Sequence, residues 1–119
     1  MKFKDVNHAL ILFEKHNIQK GEAANMGNGK KNNYHYNKIR EIVSFLKKEK
    51  ALIHLSDFFN HANPYVRLSA AANLLPLYEE DCIKIMEDIV NNEKGIVAID
   101  AEYTISEWQN GNLKNFYTL

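Results

Sequence analysis

The sequence predicts an all-α fold, on three observations. Apolar residues recur at spacings of three and four along nearly the whole chain. No stretch alternates Val, Ile or Thr with polar residues, as a half-buried strand would. The 119 residues hold only 5 glycines and 2 prolines to interrupt helices. At 13.8 kDa and 45% hydrophobic content, the chain is expected to form one domain, residues 1–119, with a modest core.

The elements follow in order. A first helix is expected from about Asp5 to Ala24, with Val6, Ala9, Leu10 and Phe13 on one face. Its later part is polar and holds Gly21, where fraying or a break is expected. Met26–Asn33, rich in Gly and Asn, reads as a loop. A second helix spans about Tyr34 to Lys50 and turns His35, Ile39, Ile42 and Leu46 inward. A short third helix, Ala51 to Asn60, spaces Leu52, Leu55 and Phe59 for burial.

The fourth helix, Pro64 to Leu75, is the most explicit. Asn63 is a good N-cap, and Pro64 occupies the first helical position, where a missing N–H costs nothing. Val66, Ala70 and Leu74 share one face, extended by Ala71 and Leu75, and Pro76 stops the helix. Arg67 falls within that apolar arc, so its charge needs a fixed partner, for which Asp57 and Asp100 are the candidates. Asn63, Pro64 and Arg67 are therefore expected to be structural. A fifth helix, Glu79 to Asn92, opens with three acids at the positive end of its dipole. Cys82, Ile83, Ile85, Met86, Ile89 and Val90 fall within one arc. The lone Cys82 thus reads as a buried structural thiol, which fits a reducing compartment. The last helix runs from Ile96 to about Gln109, and Gly111 ends it. Residues 1–50 then form N-terminal helices, 51–109 paired helices and 110–119 a tail.

The run Asn63-Pro64-Tyr65-Val66-Arg67-Leu68-Ser69-Ala70-Ala71 resembles the second helix of a HEAT-like repeat, with its Asn/Asp-Pro-x-Val-Arg-x-x-Ala-Ala pattern. A shift of 31 places pairs Val66 with Val97, Ala70 with Ala101 and Leu74 with Ile105. That period is closer to the small HEAT-like repeats named after phycobilisome lyases than to a standard HEAT unit. Ala98 departs from the pattern where Arg67 has its charge. The resemblance covers Ala51 to Gln109. It implies a short right-handed stack of HEAT-like helix pairs, an α-solenoid fragment with an N-terminal helical extension. It also implies a binding scaffold. Small bacterial domains of this kind include some that look like immunity proteins of contact-dependent growth inhibition and other polymorphic toxin systems. Those are cytoplasmic, cofactor-free and often acidic where they block a basic nuclease.

The residues offer little to an enzyme. The five histidines form no His-Glu-x-x-His, no Cys/His zinc spacing and no i, i+4 pair. There is no phosphate-cradling glycine loop and no Gly-x-Ser-x-Gly elbow. No catalytic residue, metal, cofactor or small-molecule substrate is therefore expected. No run is long and apolar enough to span a membrane, and Met1–Asp5 lacks the character of a secretory signal. A cytoplasmic location is expected.

The net charge is zero but unevenly spread. Residues 1–60 hold 11 Lys/Arg against 6 Asp/Glu, a net +5, and residues 61–119 hold 4 against 9, a net −5. Lys30, Lys31, Lys38, Arg40, Lys47, Lys48 and Lys50 cluster with Tyr34 and Tyr36, a pattern that can stack bases. Glu41 and Glu49 interrupt it, and the acidic half repels phosphate. A nucleic-acid-binding module therefore ranks as an alternative, as does a structural subunit of a helical-repeat assembly.

The leading expectation is a protein-binding module that neutralises a toxin domain. The toxin is what the resemblance implies; the binding surface is read from the last helix. Val97, Ala101, Thr104, Ile105 and Trp108 make its inward stripe. Ile96, Ile99 and Tyr103 make a second apolar stripe on the far side, bordered by Glu102 on one edge and by Asp100 and Glu107 on the other. An apolar centre with a charged rim is the anatomy of a protein-binding patch. The competing expectation is that Phe116 and Tyr117 fold back and cover it.

Overall fold

The structure is a computed structural model that describes residues 2–117. Its elements are α1 (Val6–Asn25), α2 (Gly29–Lys48), a 3₁₀ helix (Leu52–Phe58), α3 (Pro64–Leu74), α4 (Glu79–Asn92), α5 (Ile96–Gln109) and α6 (Lys114–Tyr117). The described residues contain no strand, so the all-α expectation is borne out. Met1 and the last two residues of the expected tail lie outside the described residues.

The Asp5 side chain caps α1 by accepting the His8 N–H at 2.8 Å. Ala9 and Phe13 are buried, as their spacing requires. The expected break at Gly21 does not occur, and α1 continues to Asn25. A side chain at 21 would overlap the ring of Tyr65, whose hydroxyl donates to Asn25 Oδ1 at 2.8 Å. Gly21 thus lets α3 approach α1 closely rather than weakening the helix.

The α1–α2 connection is shorter than composition implies. Gly27 takes the left-handed conformation (φ 70°). Its N–H reaches the Ala24 carbonyl, and the Asn28 N–H reaches that of Ala23, which closes the last turn in a Schellman motif. The Asn28 side chain then accepts the Lys31 N–H at 3.1 Å. This cap starts α2 at Gly29 rather than Tyr34, so the expected loop of Met26–Asn33 shrinks. Ile39, Ile42 and Leu46 are buried, and His35 is half-buried. The short third helix is a 3₁₀ helix rather than an α-helix. It buries Leu55 and stacks Phe58 on Phe13 with ring centres 5.5 Å apart.

Helix α3 lies at the centre, against α1, the 3₁₀ helix, α4 and α5. The Asn63 side chain accepts the N–H groups of Tyr65 and Val66, and Pro64 sits in the first turn. Val66, Ala70, Ala71, Leu74 and Leu75 are all fully buried. The small side chains of Ala70 and Ala71 let neighbouring helices close in, which sustains dense packing on this face.

Arg67 is held as a structural residue, but not by the expected carboxylates. Its Nη1 donates to the His61 carbonyl at 2.7 Å and to the Ala62 carbonyl at 3.1 Å. Its Nη2 lies 3.7 Å from Glu93 Oε2. Asp57 and Asp100 take no part. The guanidinium therefore ties the turn before α3 to the end of α4. Arg67→Ala is expected to cost about 1–3 kcal/mol, because it leaves two carbonyls without donors. Urea unfolding measures this, and an unchanged midpoint would contradict the structural role.

The bounds of α4 and α5 match expectation. Cys82, Met86 and Ile89 are buried, and burial pushes the Cys82 thiol up to about 12. Cys82 is thus an inert core side chain. Among the described residues no helix is long and apolar enough to cross a membrane.

Candidate functional site

The candidate site is built on α5. Val97 and Ala101 are buried against the core, and Thr104, Ile105 and Trp108 are half-buried behind them. At 100° per residue the opposite side must carry Ile96, Ile99 and Tyr103. They are 38%, 66% and 65% exposed.

The tail does fold back, but elsewhere. Phe116 packs on the guanidinium of Arg40, 4.6 Å from ring centre to Cζ. The Tyr117 hydroxyl donates to the Ala72 carbonyl, and its ring stands edge-on to Trp108. Trp108 in turn donates to Glu79 through its indole N–H. The second stripe of α5 stays open beside this anchored tail.

The rim divides in a way its sequence positions do not reveal. Glu102 is exposed and points to solvent with the stripe. Glu107 is half-buried and accepts the Asn112 amide at 2.5 Å. It also takes the Tyr103 hydroxyl, and that hydrogen bond is the main cause raising the phenol's pKa. Glu107 thus orients the Tyr103 ring. Asp100 turns away from the open rim into a groove. Burial raises its carboxyl, and the charge of Lys20 opposes that rise.

That groove has an apolar floor from α3 and α2, including Leu68, Ala72, Ile39 and Val43. Lys20, Arg40, Asp100, Tyr103 and Phe116 complete its lining around about 230 Å³. The sequence carried no sign of it, because its walls come from five separate helices.

The histidines also meet in ways that spacing does not show. His16 and His35, on α1 and α2, share an Nδ1···Nδ1 hydrogen bond of 2.9 Å. His61 bonds Glu14 at 2.6 Å. Among the described residues no three His, Cys, Asp or Glu side chains form a group that could hold a metal.

The His16–His35 bond needs at least one neutral ring. Burial, then each other's charge and that of Lys15 and Lys38, lowers the pKa of His16 against a weaker opposing pull from Glu41. Burial and Lys31 lower that of His35 against Glu22. A histidine whose folded pKa lies below its unfolded value of 6.5 contributes stability that is fully present above that pH. The contribution is lost as pH falls through it towards the folded value. The chain is therefore expected to lose more stability between neutral and mildly acid pH than His35→Gln does. Denaturation midpoints across that range test this, and parallel curves would contradict it.

The basic face of α2 is partly engaged within the chain. Lys38 sits over the Tyr34 ring at 5.6 Å and pairs with Glu41 at 3.5 Å, while Arg40 carries Phe116.

The crystal structure of the protein RPA1889 from Rhodopseudomonas palustris CGA009 is similar over 93% of each chain, with a TM-score of 0.84 and 23% sequence identity. At that identity the likeness speaks for the fold alone. No curated protein matches the chain. A family model described as a domain of unknown function, DUF2019, matches residues 7–108, from the first turn of α1 nearly to the end of α5. The chain therefore belongs to the DUF2019 family.

Proposed function

We propose that this chain is a non-catalytic protein-binding module that neutralises a toxin domain in the cytoplasm by covering it with the outward face of α5. The observation that carries the reading is the open stripe of Ile96, Ile99 and Tyr103, left uncovered although the tail folds back beside it. Exposed apolar side chains aligned on one helix face gain by burial against a partner. The finer architecture belongs to the same reading. α1 packs on α2, α3 on both the 3₁₀ helix and α4, and α4 on α5, a succession of neighbours that supports reading the chain as a short right-handed HEAT-like stack.

The partner is taken to be a domain rich in Lys and Arg, such as a basic nuclease, because residues 61–119 have a net charge of −5. Tyr103 serves as the anchor, with its ring pre-oriented by Glu107, so that little freedom is lost on binding. Ile96 and Ile99 extend the buried centre. Glu102 steers the approach, and Glu107 supports from the edge.

The test takes a basic toxin domain sought among the products of adjacent genes as the candidate partner, and surface-plasmon kinetics. Tyr103→Ala is expected to weaken binding by about 2 kcal/mol or more, roughly 30-fold, through faster dissociation. Glu102→Lys is expected chiefly to slow association, and added salt to do the same for the parent. Parental kinetics for both variants would overturn the reading.

A further inference from the structure

The groove between α1, α2, α3 and α5 is lined by three charged side chains. Lys20, Arg40 and Asp100 are all half-buried there. None forms an ion pair or side-chain hydrogen bond within the described residues. Arg40 meets the Phe116 ring, which uses the face of its guanidinium and leaves the N–H edge unbonded. Lys20 and Asp100 feel each other's charge but are not in contact. Charges drawn partly out of water without partners cost free energy, and a chain with no use for them could place neutral side chains here.

We propose that this groove binds a small zwitterion of the α-amino-acid class with an apolar side chain. The ammonium would lie against Asp100, the carboxylate against Lys20 and Arg40, and the side chain on the apolar floor of α3. Size supports one amino acid rather than a larger ligand: about 230 Å³ falls below the roughly 300–1,000 Å³ of pockets for drug-sized molecules. The walls favour a ring or a branched chain, since Tyr36, Tyr65, Tyr103 and Phe116 surround the floor. The presence of both signs of charge also fixes the ligand's direction. A carboxylate placed beside Asp100, or an ammonium beside Lys20, would be repelled. Bound ammonium would pull the Asp100 carboxyl down against the effect of burial, which adds to the attraction.

This inference does not depend on the protein-binding reading, because it is tested with the free chain and no partner. Titration calorimetry at neutral pH uses L-phenylalanine and L-leucine as probes, with phenethylamine and 3-phenylpropionate as analogues that each lack one charge. At least one amino acid is expected to bind saturably, and L-phenylalanine at least about tenfold more tightly than either analogue, since each charge-assisted contact is worth about that factor or more. Lys20→Gln should shrink the advantage over phenethylamine, which lacks the carboxylate. Asp100→Asn should erase the advantage over 3-phenylpropionate, which lacks the ammonium. Circular dichroism checks that both variants keep their helices. Absence of saturable binding of both amino acids up to about 10 mM would overturn the proposal. So would equal affinity for zwitterion and analogues, or unchanged discrimination in the two folded variants.

Discussion

Leu74→Ala is expected to lower the unfolding free energy by about 2–5 kcal/mol, among the largest effects of any single truncation here. Leu74 is fully buried on the helix that touches α1, the 3₁₀ helix, α4 and α5. Removing three carbons there loses their transfer free energy and leaves a cavity. Walls contributed by several rigid helices collapse only partly into it. Leu77, three residues on, is 59% exposed, so Leu77→Ala should stay within about 0.5 kcal/mol of the parent. Urea unfolding separates the two. Similar costs for both would contradict the placement of α3 at the centre.

Gly21→Leu is expected to destabilise by about 3 kcal/mol, at the upper end for overpacking. In an isolated helix the same change would stabilise by close to 1 kcal/mol, because leucine is the better helix former. The sign reverses because even a Cβ at 21 meets the Tyr65 ring, and that ring is fixed by its hydroxyl on Asn25. Tyr65→Ala should largely relieve the clash, so Gly21→Leu in that background should be close to neutral. Unfolding midpoints of the four combinations measure the coupling. Equal costs of Gly21→Leu with and without the Tyr65 ring would show that the close approach is not the cause.

Gly21 also marks where sequence reasoning stops. Its helix penalty is a local property and reads as a break, whereas its use is a tertiary contact with a residue 44 places away. The same limit hid the His16–His35 pair and the groove, whose members come from different helices. Elements with local signals were legible. Glu79–Asn92 and Ile96–Gln109 follow from acids at one helix start, a Gly turn between them and unbroken apolar arcs. Asn63 and Pro64 cap α3 as their chemistry dictates. The start of α2 was obscured because Gly29 and Asn32 are poor helix formers, and a single capping contact from Asn28 outweighs them. For the candidate surface, helical periodicity placed Ile96, Ile99 and Tyr103 together on one face. It did not reveal that Asp100 turns into the groove or that Glu107 is occupied with Tyr103.

The central claim is that the outward face of α5 is where a protein partner docks. Methyl NMR of isoleucine side chains, recorded with and without the candidate protein partner, tests it most directly. Ile11, Ile53 and Ile99 are all well exposed, at 64%, 47% and 66%, and they report on α1, the 3₁₀ helix and α5 respectively. The account predicts that the Ile96 and Ile99 methyl signals shift or broaden on binding while those of Ile11 and Ile53 stay in place. Perturbation of Ile11 or Ile53 with Ile96 and Ile99 unmoved would contradict it.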